Sequence, residues 1–319
     1  MEVNELYDVV ALGELLIDFT YVGKSEFGMS LFEQNPGGAP ANVLCLLANM
    51  GKKTAFIGKV GSDMHGSFLR DTLADRNIDV HGLIIDENVF TTLAFVELTD
   101  DGERRFSFAR KPGADTQITS GELNMDILRN TRIFHIGSLS LTDEPARSAT
   151  LDAIHVAREA GAIISYDPNY RAPLWSSEQE AVSRMRSVLP YVDIIKISGE
   201  EAELITGEVE PELATGALIS SGILCAVVTL GTDGAIVRIN DELSRVTAVK
   251  CDAVDTTGAG DAFWGGFLYK LLEKGKHPNG LTLDDAHDCA VFANACAALC
   301  VQKRGAIPAM PGLYEVVTL

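Results

Sequence analysis

Asp255-Thr256-Thr257-Gly258-Ala259-Gly260-Asp261-Ala262-Phe263 places a glycine turn between a strand-like and a helix-like segment of a 319-residue chain. Ahead of it, residues 245–250 alternate polar and apolar, the pattern of a strand. Behind it, residues 262–272 carry apolar side chains at helical spacing, which predicts a helix beginning close to Gly258. A glycine-rich turn that opens a helix aims several unpaired backbone N–H groups at one point, and the positive end of the helix dipole reinforces them. Such a turn can cradle an anion, because glycine brings the backbone close with no Cβ in the way. Asp261 lies inside this cradle. A carboxylate there should stay ionised, facing a bound phosphate across the space that an attacking hydroxyl must occupy. The plain alternative is a capped helix after a turn.

The whole chain restricts what such a site can serve. Hydrophobic residues at 46% and charged residues at 22% are ordinary globular values, and the length fits one large α/β domain or two smaller ones. No apolar run reaches the roughly 18 to 20 residues of a membrane span, and the first five residues are acidic where a signal peptide would be basic. A soluble, cytoplasmic protein is expected. The formal net charge of −19 argues against nucleic acid or an anionic membrane as partner, since both need a basic face. A polyanionic ligand must therefore be held by local devices: helix N-termini, a few Arg or Lys, and a divalent cation. The six cysteines form no CxxC pair, and Cys289, Cys296 and Cys300 recur on one helical face, so reduced core thiols are expected.

From the amino end, residues 8–13 read as a buried strand ended by Gly13, with 14–19 continuing it and placing Asp18 just beyond; an isolated Asp there is also an ordinary turn residue. Asn35-Pro36-Gly37-Gly38-Ala39-Pro40-Ala41-Asn42 is a turn leading into a helix, where Asn42 can offer a donor and an acceptor to a neutral polar ligand, or simply belong to a capping loop. Residues 91–98 and 104–110 alternate on either side of Thr99-Asp100-Asp101-Gly102-Glu103, a hairpin signal. Phe106, Phe108 and Arg110 share one face of its second strand, either to close over a substrate or to pack on the body or a partner subunit.

Thereafter strands and helices alternate: strands over 133–137, 162–166, 193–197, 225–230 and 235–239, helices over 145–160, 177–189, 199–206 and 284–303. That order predicts a mostly parallel sheet covered by helices on both faces, with ligands beyond the carboxyl ends of the strands. Asp18, Asp167, Ser198, Thr229 and Gly258 would then share one rim. Asp167-Pro168-Asn169-Tyr170-Arg171 imposes a rigid turn that would hold Arg171 either there or in a surface ion pair. Asn294 lies among Ala290, Ala293, Ala297 and Cys300, which leave room for a flat ligand or pack as a small-residue core.

The two motifs at 37–42 and 255–261, in this order and with the minor ones between Gly13 and Gly305, resemble those of the ribokinase-like sugar kinases. Asn35 to Asn42 together with Asp167 to Arg171 and Leu174-Trp175 look most like the fructokinase branch. The resemblance implies a single three-layer α/β/α domain over residues 1–319, its sheet mostly parallel, with a small β lid at about 14–34 and 91–118. It implies ATP-dependent phosphorylation of a sugar, fructose at its 6-hydroxyl first, with 2-keto-3-deoxygluconate or ribose as alternatives; a silent sugar or nucleotide sensor would usually have lost Asp261. Asp18, Gly37, Gly38 and Asn42 would bind the sugar, with Phe108 and Arg110 of the lid and Arg171 close by. Asp261 would be the base, and the N–H groups of Gly258, Ala259 and Gly260 the anion hole. Lys196, Ser198, Glu201, Thr229, Gly231, Gly234 and Asn294 would serve the nucleotide, Glu201 orienting Mg2+ through water. Asp255, Thr257, Cys300, Lys303 and Gly305 would surround K+, and lid strands would pair two copies into a homodimer. Ser198 stands where many relatives have Asn. The absence of GxxxxGK[ST] excludes a Walker A loop.

Overall fold

Val9, Val10, Ala11 and Leu12 are all completely buried, and they alternate between two cores: Val9 and Ala11 face one, Val10 and Leu12 the other. A strand covered on both faces is the mark of a parallel sheet between helix layers. The computed structural model describes residues 6–98 and 104–319. Its strands are β1 Tyr7–Leu12, β2 Leu16–Lys24, β3 Ser30–Gly37, β4 Thr54–Gly61, β5 Ile78–Asp86, β6 Leu93–Leu98, β7 Arg104–Ala109, β8 Thr131–Ile136, β9 Ile163–Tyr166, β10 Ile194–Ser198, β11 Cys225–Thr229, β12 Ala235–Ile239 and β13 Glu242–Val246. The helices are α1 Ala39–Asn49, α2 Met64–Ala74, α3 Met125–Arg129, α4 Ala146–Glu159, α5 Glu178–Ser187, α6 Gly199–Thr206, α7 Pro211–Ser220, α8 Ala259–Lys274, α9 Leu283–Cys300 and α10 Leu313–Val317.

The main sheet runs β13-β12-β11-β10-β9-β8-β1-β4-β5, parallel from β11 to β5 and antiparallel where β12 and β13 extend one edge. On one face, α1, α8 and α9 supply Leu44, Leu47, Trp264, Phe267 and Cys296; on the other, α4 to α7 supply Ala149, Ile154, Met185, Ile205 and Leu218. Chain order reverses between β1 and β8, since β4 and β5 build outward on one side and β9 to β11 on the other. Such a switch point opens a crevice beyond the carboxyl ends of the strands. The fold class expected from the alternating elements is the one observed.

Four strands in the order β3-β2-β6-β7 form a second sheet that covers this crevice. Here the structure corrects two expectations. The chain leaves the main sheet at Gly13, so residues 14–19 do not continue β1; Asp18 lies within β2, opposite Asn35 of β3. The lid strands cover 16–24, 30–37, 93–98 and 104–109, whereas 110–118 folds beneath them in turns and a short 3-10 segment. β6 and β7 pair antiparallel as the hairpin pattern predicts; its turn at 99–103 and the side chain of Phe106 lie outside the described residues. At the other end, β13 stops at Val246, which pairs with Ala235 where β12 begins, and 247–250 is irregular rather than strand.

Candidate active site

The start of α8 is built as its glycines require. Gly258 caps the helix at φ +77°, and a Cβ there would lie 2.8 Å from Cβ of Ala306. Asp255 ties the turn together. Its Oδ1 accepts from the backbone N–H (2.9 Å) and hydroxyl (2.7 Å) of Thr257, and its Oδ2 from the Gly305 N–H at 3.0 Å. The Ala259 N–H also reaches the Thr256 carbonyl at 3.3 Å, so one of the three expected anion-hole amides is shared with the turn. One helical turn on, completely buried Trp264 donates its indole N–H to Ser165 Oγ of β9 at 2.9 Å, which anchors α8 to the sheet.

Asp261 is 8% exposed, and its Oδ2 accepts from Asn42 Nδ2 at 2.7 Å. Asn42 comes from the first turns of α1, so the two glycine motifs meet in one hydrogen bond. Burial, then the nearby Asp167, push the Asp261 carboxyl up to about 6; Lys196, the Asn42 bond and Arg171 pull the other way. Lys196 of β10, itself buried, donates to Asp167 Oδ2 at 2.7 Å just past β9. A Cβ on Gly260 would stand 2.9 Å from Lys196 Nζ, so glycine at 260 lets this ammonium lie against the start of α8. The other oxygen of Asp167 is buried with no partner among the described residues.

These groups face a cleft of about 190 Å³. Asp18, Thr20, Val96 and Phe108 line it from the lid, Gly38, Ala39 and Asn42 from α1, Thr256 to Asp261 from α8, and Leu139, Asn169, Arg171 and Lys196 from the strand ends. Gly37 leaves the space that the Asp18 carboxylate fills, since a Cβ there would meet Oδ2 at 2.3 Å. A larger hollow of about 320 Å³, lined by Arg132, Gly161, Leu271 and Gly275, lies at the opposite end of the sheet. There the ends of α4 and α8 present carbonyls and negative dipole ends, and parallel-sheet enzymes do not place ligands at that end.

Arg110 departs from expectation. Its Nε and Nη2 hold Asp115 Oδ2 at 2.8 and 2.7 Å, Nη1 donates to Thr142 Oγ1 at 2.8 Å and Nη2 to the Leu139 carbonyl at 2.9 Å. Both partners of the ion pair are buried, so the guanidinium braces the wall behind Leu139 rather than facing the cleft. Ser198 serves as N-cap of α6, its hydroxyl accepting from Glu201 N–H while Glu201 Oε2 accepts from Ser198 N–H at 2.8 Å; Glu201 Oε1 holds the Tyr170 N–H at 2.7 Å. Thr229 pairs with Ser198 across β10 and β11, and Gly231 and Gly234 turn the chain at φ +57° and +96°. Asn294 donates to the Thr247 carbonyl at 3.1 Å, and Ala290, Ala293 and Cys300 around it are completely buried: that face of α9 is core. Thr257, Cys300, Lys303 and Gly305 gather around Asp255, with the Cys300 thiol 3.8 Å from the Thr257 carbonyl and the Lys303 ammonium on Glu315. Missed from sequence was Glu14, a buried acid in the cleft wall. Its signal was a lone charge in the apolar run 11–17.

The model of the pfkB family carbohydrate kinases matches residues 7–312. The chain belongs to this family. It has a phosphotransferase fold, and its glycine turn and Asp261 line the cleft. The chain is 42% identical over 316 residues to Fructokinase-1 of Oryza sativa subsp. japonica, covering 98% of this chain and 97% of that one. Among solved structures, a fructokinase from Xylella fastidiosa with bound ATP superposes with a TM-score of 0.90 at 32% identity, covering 98% of both chains. A double mutant of the Vibrio cholerae O395 fructokinase, holding fructose, ADP and a potassium ion, gives 0.87 at 32% identity, again covering 98% of both.

Proposed function

We propose that this pfkB kinase is an ATP-dependent fructokinase that moves the γ-phosphoryl group of ATP to the 6-hydroxyl of D-fructose, with Asp261 as general base. The observation that carries the reading is the Asn42–Asp261 hydrogen bond, which joins the amino-terminal loop to the helix start in one cleft. Phosphoryl transfer asks a protein mainly for alignment and for charge neutralisation. In the deprotonated state Asp261 takes the proton of the attacking hydroxyl, while Asn42 holds the carboxylate in place. The amides at 258–260, Lys196 and Arg171 face the charge that builds on the transferred group. The lid side chains Val96 and Phe108 exclude water that would otherwise take the phosphoryl group.

A neutral sugar suits this cleft better than a sugar acid. An acid substrate would need cations to spare, and Arg110 is already spent on Asp115. The relatives named above also favour fructose. A kinase panel over fructose, ribose and 2-keto-3-deoxygluconate tests the substrate: fructose should give the highest kcat/KM, and equal use of all three would overturn the choice.

Mg2+ fits at the strand ends in the usual way, through waters and substrate phosphates rather than an all-protein cage. Glu201, its two oxygens each taking one backbone N–H, keeps lone pairs to orient such a water. When bound, the ion would neutralise phosphate charge. K+ would sit beside Asp255, where backbone carbonyls of the 255–257 and 300–305 segments and one carboxylate come together, with the Cys300 thiol at the Thr257 carbonyl. Val22, Phe27, Met29, Leu31 and Phe32 are exposed on and beside the lid strands, apolar side chains against which a second copy would pair to give a homodimer. The six free cysteine thiols suit a reducing compartment, which favours a cytoplasmic enzyme; among the described residues no helix is long and apolar enough to cross a membrane.

A further inference from the structure

Helix α1 carries Asn42, yet it lacks a cap of its own. Its N-cap position is Gly38, with no side-chain cap and no acidic residue in the first turn. Glycine is required there: φ is +123°, and a Cβ would strike the Glu14 carbonyl oxygen at 2.3 Å. The residue types that usually cap a helix are therefore barred from this position. The acceptor comes instead from 25 residues upstream, where Glu14 Oε1 takes the Ala39 N–H at 2.9 Å. Glu14 is 2% exposed, and it stands in the wall of the cleft. Its other oxygen has no partner among the described residues, which makes this a costly position for a carboxyl that did nothing but pack. Burial pushes its carboxyl up to about 7, against the pull of the Ala39 N–H; nearby Asp115 adds to the rise and Arg110 opposes it.

We propose that Glu14 is a positioning residue for catalysis: by holding the first turn of α1 it sets Asn42, and through Asn42 the base Asp261. The path is continuous. Ala39 begins the helix, the Asn42 N–H closes that first turn on the Gly38 carbonyl at 2.9 Å, and the Asn42 amide holds Asp261. Glu14 itself does not touch the reacting atoms. The inference rests on Asp261 being the base, but not on which sugar is the substrate.

The test is a double-mutant cycle between Glu14 and Asn42 on the full-length enzyme, read with whichever sugar the panel shows to be used best. Glu14→Met keeps the buried volume and removes the acceptor, so the fold is retained. Glu14→Gln keeps an oxygen for Ala39 and should restore activity. Glu14→Met should lower kcat/KM at least about tenfold in the native background and less than about twofold when Asn42 is already Ala, because the path is then cut. It should also move the acid limb of the rate profile upward, since a loosened Asn42 no longer helps Lys196 and Arg171 hold the Asp261 pKa down against burial and Asp167. Thermal unfolding separates this from general damage, and Glu14→Ala serves if the Met variant expresses poorly. Equal losses in both backgrounds, or a Gln variant as impaired as Met, would overturn the proposal. A panel in which no sugar is phosphorylated would instead refute the kinase reading; calorimetric sugar binding to the same four proteins would still report the Glu14–Asn42 coupling.

Discussion

Asn42 and Asp261 are 219 positions apart in the chain, and their side chains meet at 2.7 Å inside the protein. Neither residue needs the other for its local structure. Asn42 belongs to a helix that begins at a glycine pair, and Asp261 to one that begins at a glycine turn. What joins them is the packing of α1 against α8, with Gly265 approaching the Val43 carbonyl and Leu46 so closely that a Cβ would lie 3.2 Å from each. Two glycine-opened helix starts are thereby aimed at one cleft.

The rate should lose its acid side near the titration of Asp261. Only the deprotonated carboxylate can accept a proton, and burial with Asp167 holds this group at about 6 rather than near 4. kcat/KM should therefore be flat above about pH 7 and fall about tenfold per unit below pH 6. Asn42→Ala removes a bond that favours the charged form, so the limb should move to higher pH. A profile flat down to pH 5 would remove Asp261 from the role of base.

Lys196 should prove to be a structural cation as well as a functional one. It is the buried partner of Asp167, and deleting one member of a buried ion pair strands the other. Lys196→Met should cost about 3–5 kcal/mol in urea unfolding and lower kcat as well. A variant of native stability would show that Asp167 is not held as the 2.7 Å contact implies.

Arg110 separates the sequence-based expectation from the structure. If it touched sugar or phosphate, Arg110→Met would raise the fructose KM and leave stability alone. Its bonds to Asp115, Thr142 and Leu139 predict the reverse: about 3–5 kcal/mol of stability lost, with KM for the surviving folded enzyme within about threefold of native. Steady-state kinetics alongside denaturation decides between them.

The parts of the fold that were legible have local causes. Gly258 and Gly260 announced the helix start because a turn at positive φ and a close approach to Lys196 both need a missing Cβ. The alternation of βα units gave the parallel sheet. What escaped had non-local causes. The end of β3, Asn35-Pro36-Gly37, hid in a sequence that reads as a turn, since its strand pairing comes from β2 and not from propensity. Asp18 was assigned to the end of β1 because nothing in 8–19 says that the chain changes sheets at Gly13. Arg110 looked like a ligand from its alternation with Phe108, but its fate depends on Asp115, five residues on, and on Thr142, contributed after β8. Glu14 was passed over although a charge in a buried run is a physical anomaly, because its partner, the start of α1, is fixed only by the fold.

The most direct measurement is turnover by Asp261→Asn, which keeps the size of the side chain and one oxygen for Asn42 but cannot take up the proton. With sugar and ATP saturating, kcat should fall by about 10² to 10⁴, while calorimetric affinity for fructose changes little. A variant that phosphorylates fructose at the native rate would contradict the account at its centre.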